Sequence, residues 1–400
     1  MSTNEPVPTE DETPITTKSE QSPQLPEPVF GVNEIRLNTW QLLFAALIVI
    51  LVMAVTPEVW KRKERFATGL DYRIPYALST DYWLYQRRAD KIKLSEIPVI
   101  GDSVVWGEYV LRDGTLSHFL THESGSSFVN CGVNGVFPIA LEGLVRQYGS
   151  AFANRKVILQ CNMLWESSPK ADLSLDSEAT FNHSDLVPQQ FGAVPCYRAD
   201  AATRMGAFMT THIGFYGWVN HIDACYYEQQ SMPKWTLAES ATDPPTWPNI
   251  WKNPFSAITM RVPGEPALDP LRGTNSRRHR AWNRAGSHTS HFEWVPLNRS
   301  LQWEAFQRLV NYLKSRHSQV LIILGPFNDH MIAPDQLSEY RSMRDAQAQW
   351  FHTHGVQCIV PNALPSELYA DASHPLTEGY ALLAYQIAMD PVFKSWMGGK

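Results

Sequence analysis

The chain has 400 residues, of which 44% are hydrophobic, 12% aromatic and 18% charged, with a formal net charge of −6. That length and apolar content allow one large domain or two ordinary ones with a sizeable core, and the negative balance argues against nucleic-acid binding. Five cysteines (Cys131, Cys161, Cys196, Cys225 and Cys358) exclude a dense disulfide framework and show neither CxxC nor Cys/His zinc spacing.

Residues 1–36 read as a disordered tail. Pro6, Pro8, Pro14, Pro23, Pro26 and Pro28 are set among acidic residues, and few apolar groups are present to offset the entropy of ordering. An uncharged run from Leu42 to Val55 follows, flanked by Trp40 and Trp60. A helix of about 20 residues rises about 30 Å, the thickness of a bilayer core, and tryptophan favours its interfaces. The reading is a transmembrane helix over 38–60, in preference to a signal-peptide core, because the residues before it are numerous and acidic. Lys61, Arg62, Lys63 and Arg65 lie just after the span and only Arg36 lies close before it, so the positive-inside rule favours a cytoplasmic main domain. Residues 61–94 read as a juxtamembrane linker.

From residue 95 the pattern becomes α/β. Short apolar runs at Ile97–Ile100, Ser127–Asn130, Lys156–Gln160, Gln319–Leu324 and Val356–Val360 predict five strands. Between some of them lie helical stripes: Leu141, Leu144, Val145 and Tyr148, then Trp303, Phe306, Val310 and Leu313. Strands alternating with helices predict a parallel sheet covered on both faces. Residues 170–298, rich in Pro and Trp, break this rhythm and read as an insertion in a domain spanning 95–400.

Four segments carry candidate chemistry. Gly101-Asp102-Ser103, with Gly107 beyond, follows the first strand and precedes a helical stretch. A serine there is presented at the carboxyl edge of the sheet, near helix N–H groups able to stabilise an oxyanion. Asp371 and His374 lie three residues apart at the entrance to the last long helical stretch. A serine hydroxyl needs an imidazole to take its proton and a carboxylate to fix the imidazole's tautomer. Asn130 to Gly135 follow the second strand and Asn162 follows the third; a glycine N–H and an asparagine amide suit an oxyanion hole. Each segment alone is compatible with an ordinary turn or cap. Their joint placement at strand ends, in order, points to one site.

On these residues the sequence resembles the SGNH (GDSL) hydrolase superfamily. The first block is similar to Gly101-Asp102-Ser103 with Gly107, and the second to Asn130 through Gly135. The third matches only at Asn162, with Gln160 and Met163 where glycine and aspartate usually stand. The fifth, Asp-x-x-His-Pro followed by a glycine, is similar to Asp371 through Gly379. The resemblance covers residues 95–165 and 318–390. It implies a three-layer α/β/α sandwich with a mostly parallel five-stranded sheet, flavodoxin-like in layout, and no cofactor. It implies Ser103 as nucleophile, His374 as general base and Asp371 as its orienting partner. The Ser103 and Gly135 N–H groups and the Asn162 side chain would form the oxyanion hole. Gly325 to His330 resembles the equivalent strand end of membrane-anchored relatives that acylate cell-envelope polymers, which makes Asn328 and His330 candidate substrate-pocket residues. Those relatives also imply an extracytoplasmic domain, against the charge flanks, and the outside is the favoured reading.

Other features read more plainly. Asn182, His183 and Asp185 suggest loop hydrogen bonding in preference to a metal pair, and His288 and His291 lack a third ligand. Arg277-Arg278-His279-Arg280 reads as a solvated loop, with anionic headgroups or an acidic polysaccharide as the sharper alternative. Trp247, Trp251, Trp282 and Trp294 read as a small core of the insertion, or as stacking platforms for sugar or acyl groups. The functional expectation is a membrane-anchored serine esterase cleaving acyl, chiefly acetyl, esters of a saccharide or lipid. The alternatives are an O-acyltransferase using the same acyl-serine, with a membrane-bound acyl-donor partner, and a non-catalytic anchored binding module. No nucleic-acid partner and no metal are expected.

Overall fold

The apolar runs that begin at Ile97, Ser127, Lys156, Gln319 and Val356 contain or overlap β1 (Ile97–Gly101), β2 (Phe128–Gly132), β3 (Lys156–Cys161), β4 (Gln319–Leu324) and β5 (Gln357–Ile359). They appear in a computed structural model that describes residues 37–172, 183–187, 200–238, 251–264, 280–286 and 288–398. The strands form one sheet in the order β2-β1-β3-β4-β5, and every pairing is parallel. Strand residues alternate between two covered faces. Val129, Val157, Leu159 and Ile322 face one core, and Val99, Ile158, Leu321 and Ile323 face the other.

The first core is closed by α2 (Tyr82–Asp90), α5 (Pro138–Tyr148) and the helices Leu301–Ser315 and Leu337–Thr353. Both predicted stripes lie there: Leu141, Leu144, Val145 and Tyr148, and Trp303, Phe306, Val310 and Leu313 are all buried. The second core is closed by α3 (Ser103–Trp106), α4 (Leu116–Ser124) and the helices Thr377–Met389 and Pro391–Gly398. The result is an α/β/α sandwich. The chain steps from β1 out to β2 and then crosses back past β1 to β3, so the direction of winding reverses at β1 and the crevice beyond the carboxyl ends of β1 and β3 is the natural ligand position.

The chain divides into two units, Met1–Leu51 and Val52–Lys400. The apolar run is helical, within α1 (Thr39–Lys63), which is long and apolar enough to cross a membrane. In the second unit Trp60 packs edge-on against Trp218, ring centroids 5.5 Å apart, and its Nε1 donates to Glu64 at 3.0 Å.

Residues 61–94 are more than a linker. Asp81 caps α2 by accepting from the Leu84 N–H at 2.9 Å, and Tyr82, Leu84, Tyr85 and Ala89 are buried in the first core. The insertion contributes packing too. On the helix Gly214–Tyr226, fully buried His221 lies between Asp81 at 2.7 Å and Glu64 at 3.0 Å, and Arg87 pairs with Glu64. Trp294 is buried against Phe327 and Tyr340 of the main core, Trp282 donates to the Ser366 carbonyl, and Trp251 is exposed. Trp247, Asn182, Cys196, Arg277, Arg278 and His279 lie outside the described residues, as does the N-terminal tail.

Candidate active site

The carboxyl edge of the sheet gathers the candidate residues because all five strands run the same way. Asp102 directly follows β1 and caps α3, accepting from the Val104 N–H at 2.8 Å. Ser103 is therefore the first helical residue of α3, where the leading N–H groups lack intrahelical acceptors. Gly107 closes α3 in the left-handed region at φ 88, a conformation glycine adopts without a Cβ penalty. Gly132 is required for a different reason: a Cβ there would stand 2.3 Å from the Trp106 N atom, so α3 could not lie against the end of β2.

His374 reaches Ser103 from the other end of the domain. Its Nε2 is 2.7 Å from Ser103 Oγ, and its Nδ1 is 2.8 Å from both carboxylate oxygens of Asp371. Asp371 also accepts from the backbone N–H groups of Ser373 and His374, each at 2.9 Å, which fixes the loop around its own carboxylate. Burial alone would push the imidazole toward its neutral form. The Asp371 hydrogen bond and charge, with the more distant charges of Asp102 and Glu108, outweigh it and raise the His374 pKa. For Asp371, burial is outweighed in the same way by His374 and by the two N–H donors, and its pKa is lowered. The arrangement can hold a proton acceptor on a serine hydroxyl and stabilise the imidazolium that results.

Two residues that the sequence reading did not single out complete the surroundings. Glu108 Oε2 is 3.6 Å from His374 Nε2, and burial raises its pKa. The Tyr109 ring stands edge-on to the His374 ring, centroids 5.3 Å apart, and burial, with the nearby charges of Asp371 and Glu108, raises the pKa of its phenol. Their signal was positional: both follow Gly107 in the block that carries Ser103. The supposed linker also supports this block. Arg73 donates to the carbonyls of Trp106, Gly107 and Val110 and lies 3.9 Å over the Trp106 ring.

The remaining expected site residues separate. Gly135, at φ 75, lies in the loop after β2, partly exposed. The loop is braced from the insertion by His183, which bonds the Asn134 carbonyl at 2.7 Å and the Tyr82 hydroxyl at 2.8 Å. This accounts for His183 as a hydrogen-bonding residue, as its sequence context suggested. Asn162 is a correction. It is fully buried, its Nδ2 donates to Asp102 Oδ2 at 2.8 Å, and its Oδ1 accepts from the Leu164 N–H. One N–H of its amide holds the Asp102 carboxylate, so that donor is not free for an oxyanion in this structure. Asn328 is a second correction: it too is fully buried, with Nδ2 donating to the Asp371 carbonyl at 3.1 Å and its N–H to the Ala372 carbonyl at 2.8 Å. It straps the Asp371 loop to the end of β4 and cannot line an open pocket. His330 is exposed on the rim, with Nε2 donating to the Leu364 carbonyl at 3.0 Å.

No family model matches the sequence, and no curated protein matches it. Among solved structures, the chain is similar to a Desulfitobacterium hafniense protein described as lipolytic and of the G-D-S-L family. The two share 11% identity over 74% of this chain and 98% of that one, with a TM-score of 0.32.

Proposed function

We propose that this protein is a membrane-anchored serine esterase that cleaves acyl esters, chiefly acetyl esters, of a saccharide or lipid. The observation that carries this reading is the 2.7 Å approach of His374 Nε2 to Ser103 Oγ, with Asp371 on the opposite ring nitrogen. Ser103 attacks the acyl carbonyl as His374 takes its proton, and Asp371 supports the imidazolium. The N–H groups of Ser103 and Gly135 hold the oxyanion. The imidazolium then protonates the leaving alcohol, and a second nucleophile discharges the acyl group from Ser103. α1 anchors the chain in a bilayer, with the catalytic domain outside the cytoplasm.

A fluorophosphonate probe tests this directly. The wild-type chain should take up one label and release p-nitrophenol from its acetyl ester. Ser103→Ala and His374→Ala should do neither. Equal labelling of Ser103→Ala would end the proposal.

A further inference from the structure

Glu108 has no part in the acylation step just described, yet its position is built with care. The N–H groups of Gly107 and Glu108 both donate to the Ser103 carbonyl, at 2.9 and 3.0 Å. Gly107 at φ 88 and Tyr109 at φ 69 turn the chain on either side of it. For tyrosine that is a sparsely populated backbone region, held here by its surroundings. The outcome is a half-buried carboxylate 3.6 Å from His374 Nε2, the atom that also faces Ser103 Oγ. Asp102 and Asp371 already place negative charge nearby. A third carboxylate opposes an oxyanion, so Glu108 is unsuited to stabilising one. Its separation from Nε2 is too long for a direct hydrogen bond, but short enough for two O–H groups of one molecule, each about 2.8 Å from its partner, to engage both.

We propose that Glu108 is a positioning residue for the nucleophile that discharges acyl-Ser103, and that this nucleophile must present two O–H groups. The chemistry is that of a vicinal diol, as on a sugar or glycerol, and water shares it. The inference rests on the esterase reading. One O–H gives its proton to His374 Nε2 as its oxygen bonds to the acyl carbon. The tetrahedral intermediate collapses, the bond from the acyl carbon to Ser103 Oγ breaks, and His374 returns the proton to Oγ. The second O–H donates to Glu108, whose charge is unchanged throughout. The product is a diol monoester, or a free acid when water attacks. A simple alcohol has one O–H, which His374 takes, and it offers the Glu108 carboxylate no donor.

The test is a partition experiment on the 400-residue chain in detergent, with p-nitrophenyl acetate as acyl donor. 1,2-Propanediol, 1,3-propanediol and 1-propanol are supplied as acceptors, and the acetyl products and free acetate are quantified together. A ratio of products from one acyl-enzyme does not depend on how fast each variant acylates. The wild type should favour 1,2-propanediol over 1-propanol by about tenfold, as expected for one hydrogen bond to a charged group. Glu108→Ala should abolish that preference, Glu108→Gln should retain part of it, and Glu108→Asp covers the case of an unfolded Ala variant. High acetate with little diol ester, lost in the same variants, would assign the position to water. A wild type that does not discriminate, or a preference unchanged in Glu108→Ala and Glu108→Asp, overturns the inference. Absence of Ser103-dependent p-nitrophenol release overturns the esterase reading, and this inference with it.

Discussion

The side-chain amide of Asn162 donates to the buried carboxylate of Asp102 at 2.8 Å, tying the end of β3 to the end of β1 directly beneath Ser103. Burial raises the Asp102 pKa, and the Asn162 amide, the Val104 N–H and the His374 charge oppose that rise. Removing the amide leaves a buried acceptor short of a donor, at a cost of about 1–3 kcal/mol. Asn162→Ala is therefore expected to lower the thermal midpoint, and Asn162→Asp, which sets two carboxylates face to face, to lower it further. Calorimetry that found both variants as stable as the wild type would remove Asn162 from this role.

Asp371 holds His374 by its ring nitrogen and its backbone N–H, and accepts from the Ser373 N–H as well. Asp371→Asn keeps much of the loop but no longer secures the tautomer with its acceptor on Ser103. Esterase kcat should fall on the order of 10^4-fold, with little change in KM for p-nitrophenyl acetate. A loss below tenfold would mean that His374 does not act through Asp371.

The pH profile follows from the charges around His374. Asp371, Asp102 and Glu108 together raise its pKa against burial, and the uncharged Tyr109 ring covers its edge. Only the neutral imidazole can accept the serine proton, so activity should fall as pH drops through a value above the usual histidine value of about 6.5. Glu108→Gln removes one negative charge, disfavours the imidazolium and should move this acid limb to lower pH. A limb that stays in place, or moves upward, would contradict the assignment of His374 as base.

A second charged network includes none of the candidate site residues and bears on stability. Glu64 is lowered to about 2 and His221 raised to about 12: burial opposes both shifts, and their mutual pairing, with Asp81 on the other ring nitrogen, outweighs it. Because the folded-state value of Glu64 lies below its unfolded value of 4.5, its contribution is present above that pH and is lost as pH falls toward about 2. Because that of His221 lies above its unfolded value of 6.5, its contribution is full below that pH and is lost as pH rises toward about 12. His221→Ala leaves two carboxylates buried without it and should cost about 3–5 kcal/mol. Urea denaturation of wild type and variant at several pH values would measure both effects. A variant as stable as the wild type at pH 6 would count against the network.

The proposed placement of the main domain outside the cytoplasm is open to a reporter fused at the carboxyl end. Alkaline phosphatase, active only after export, should be active there, and a reporter active only in the cytoplasm should not. The reverse result would favour the orientation indicated by Lys61, Arg62, Lys63 and Arg65.

The strands and the α1 segment were legible in the sequence as continuous apolar runs, and the two helical stripes as a period, because each depends on a local stretch of chain. The segments bearing Ser103, Asp371 and His374 were legible for the same reason: each sits at a strand end or helix entrance that the pattern marks. Tertiary structure decided how the polar atoms pair. Asn162 turned to Asp102, Asn328 to the Asp371 backbone, Glu64 to His221, and Glu108 to the imidazole. Local sequence carries hydrophobic period and turn chemistry, but the partner of a buried polar group comes from a distant segment and is chosen by the cost of leaving it unpaired. That is why the helix α2, inside a stretch that reads as linker, proved to be core, and why an asparagine at the expected position serves a neighbouring carboxylate.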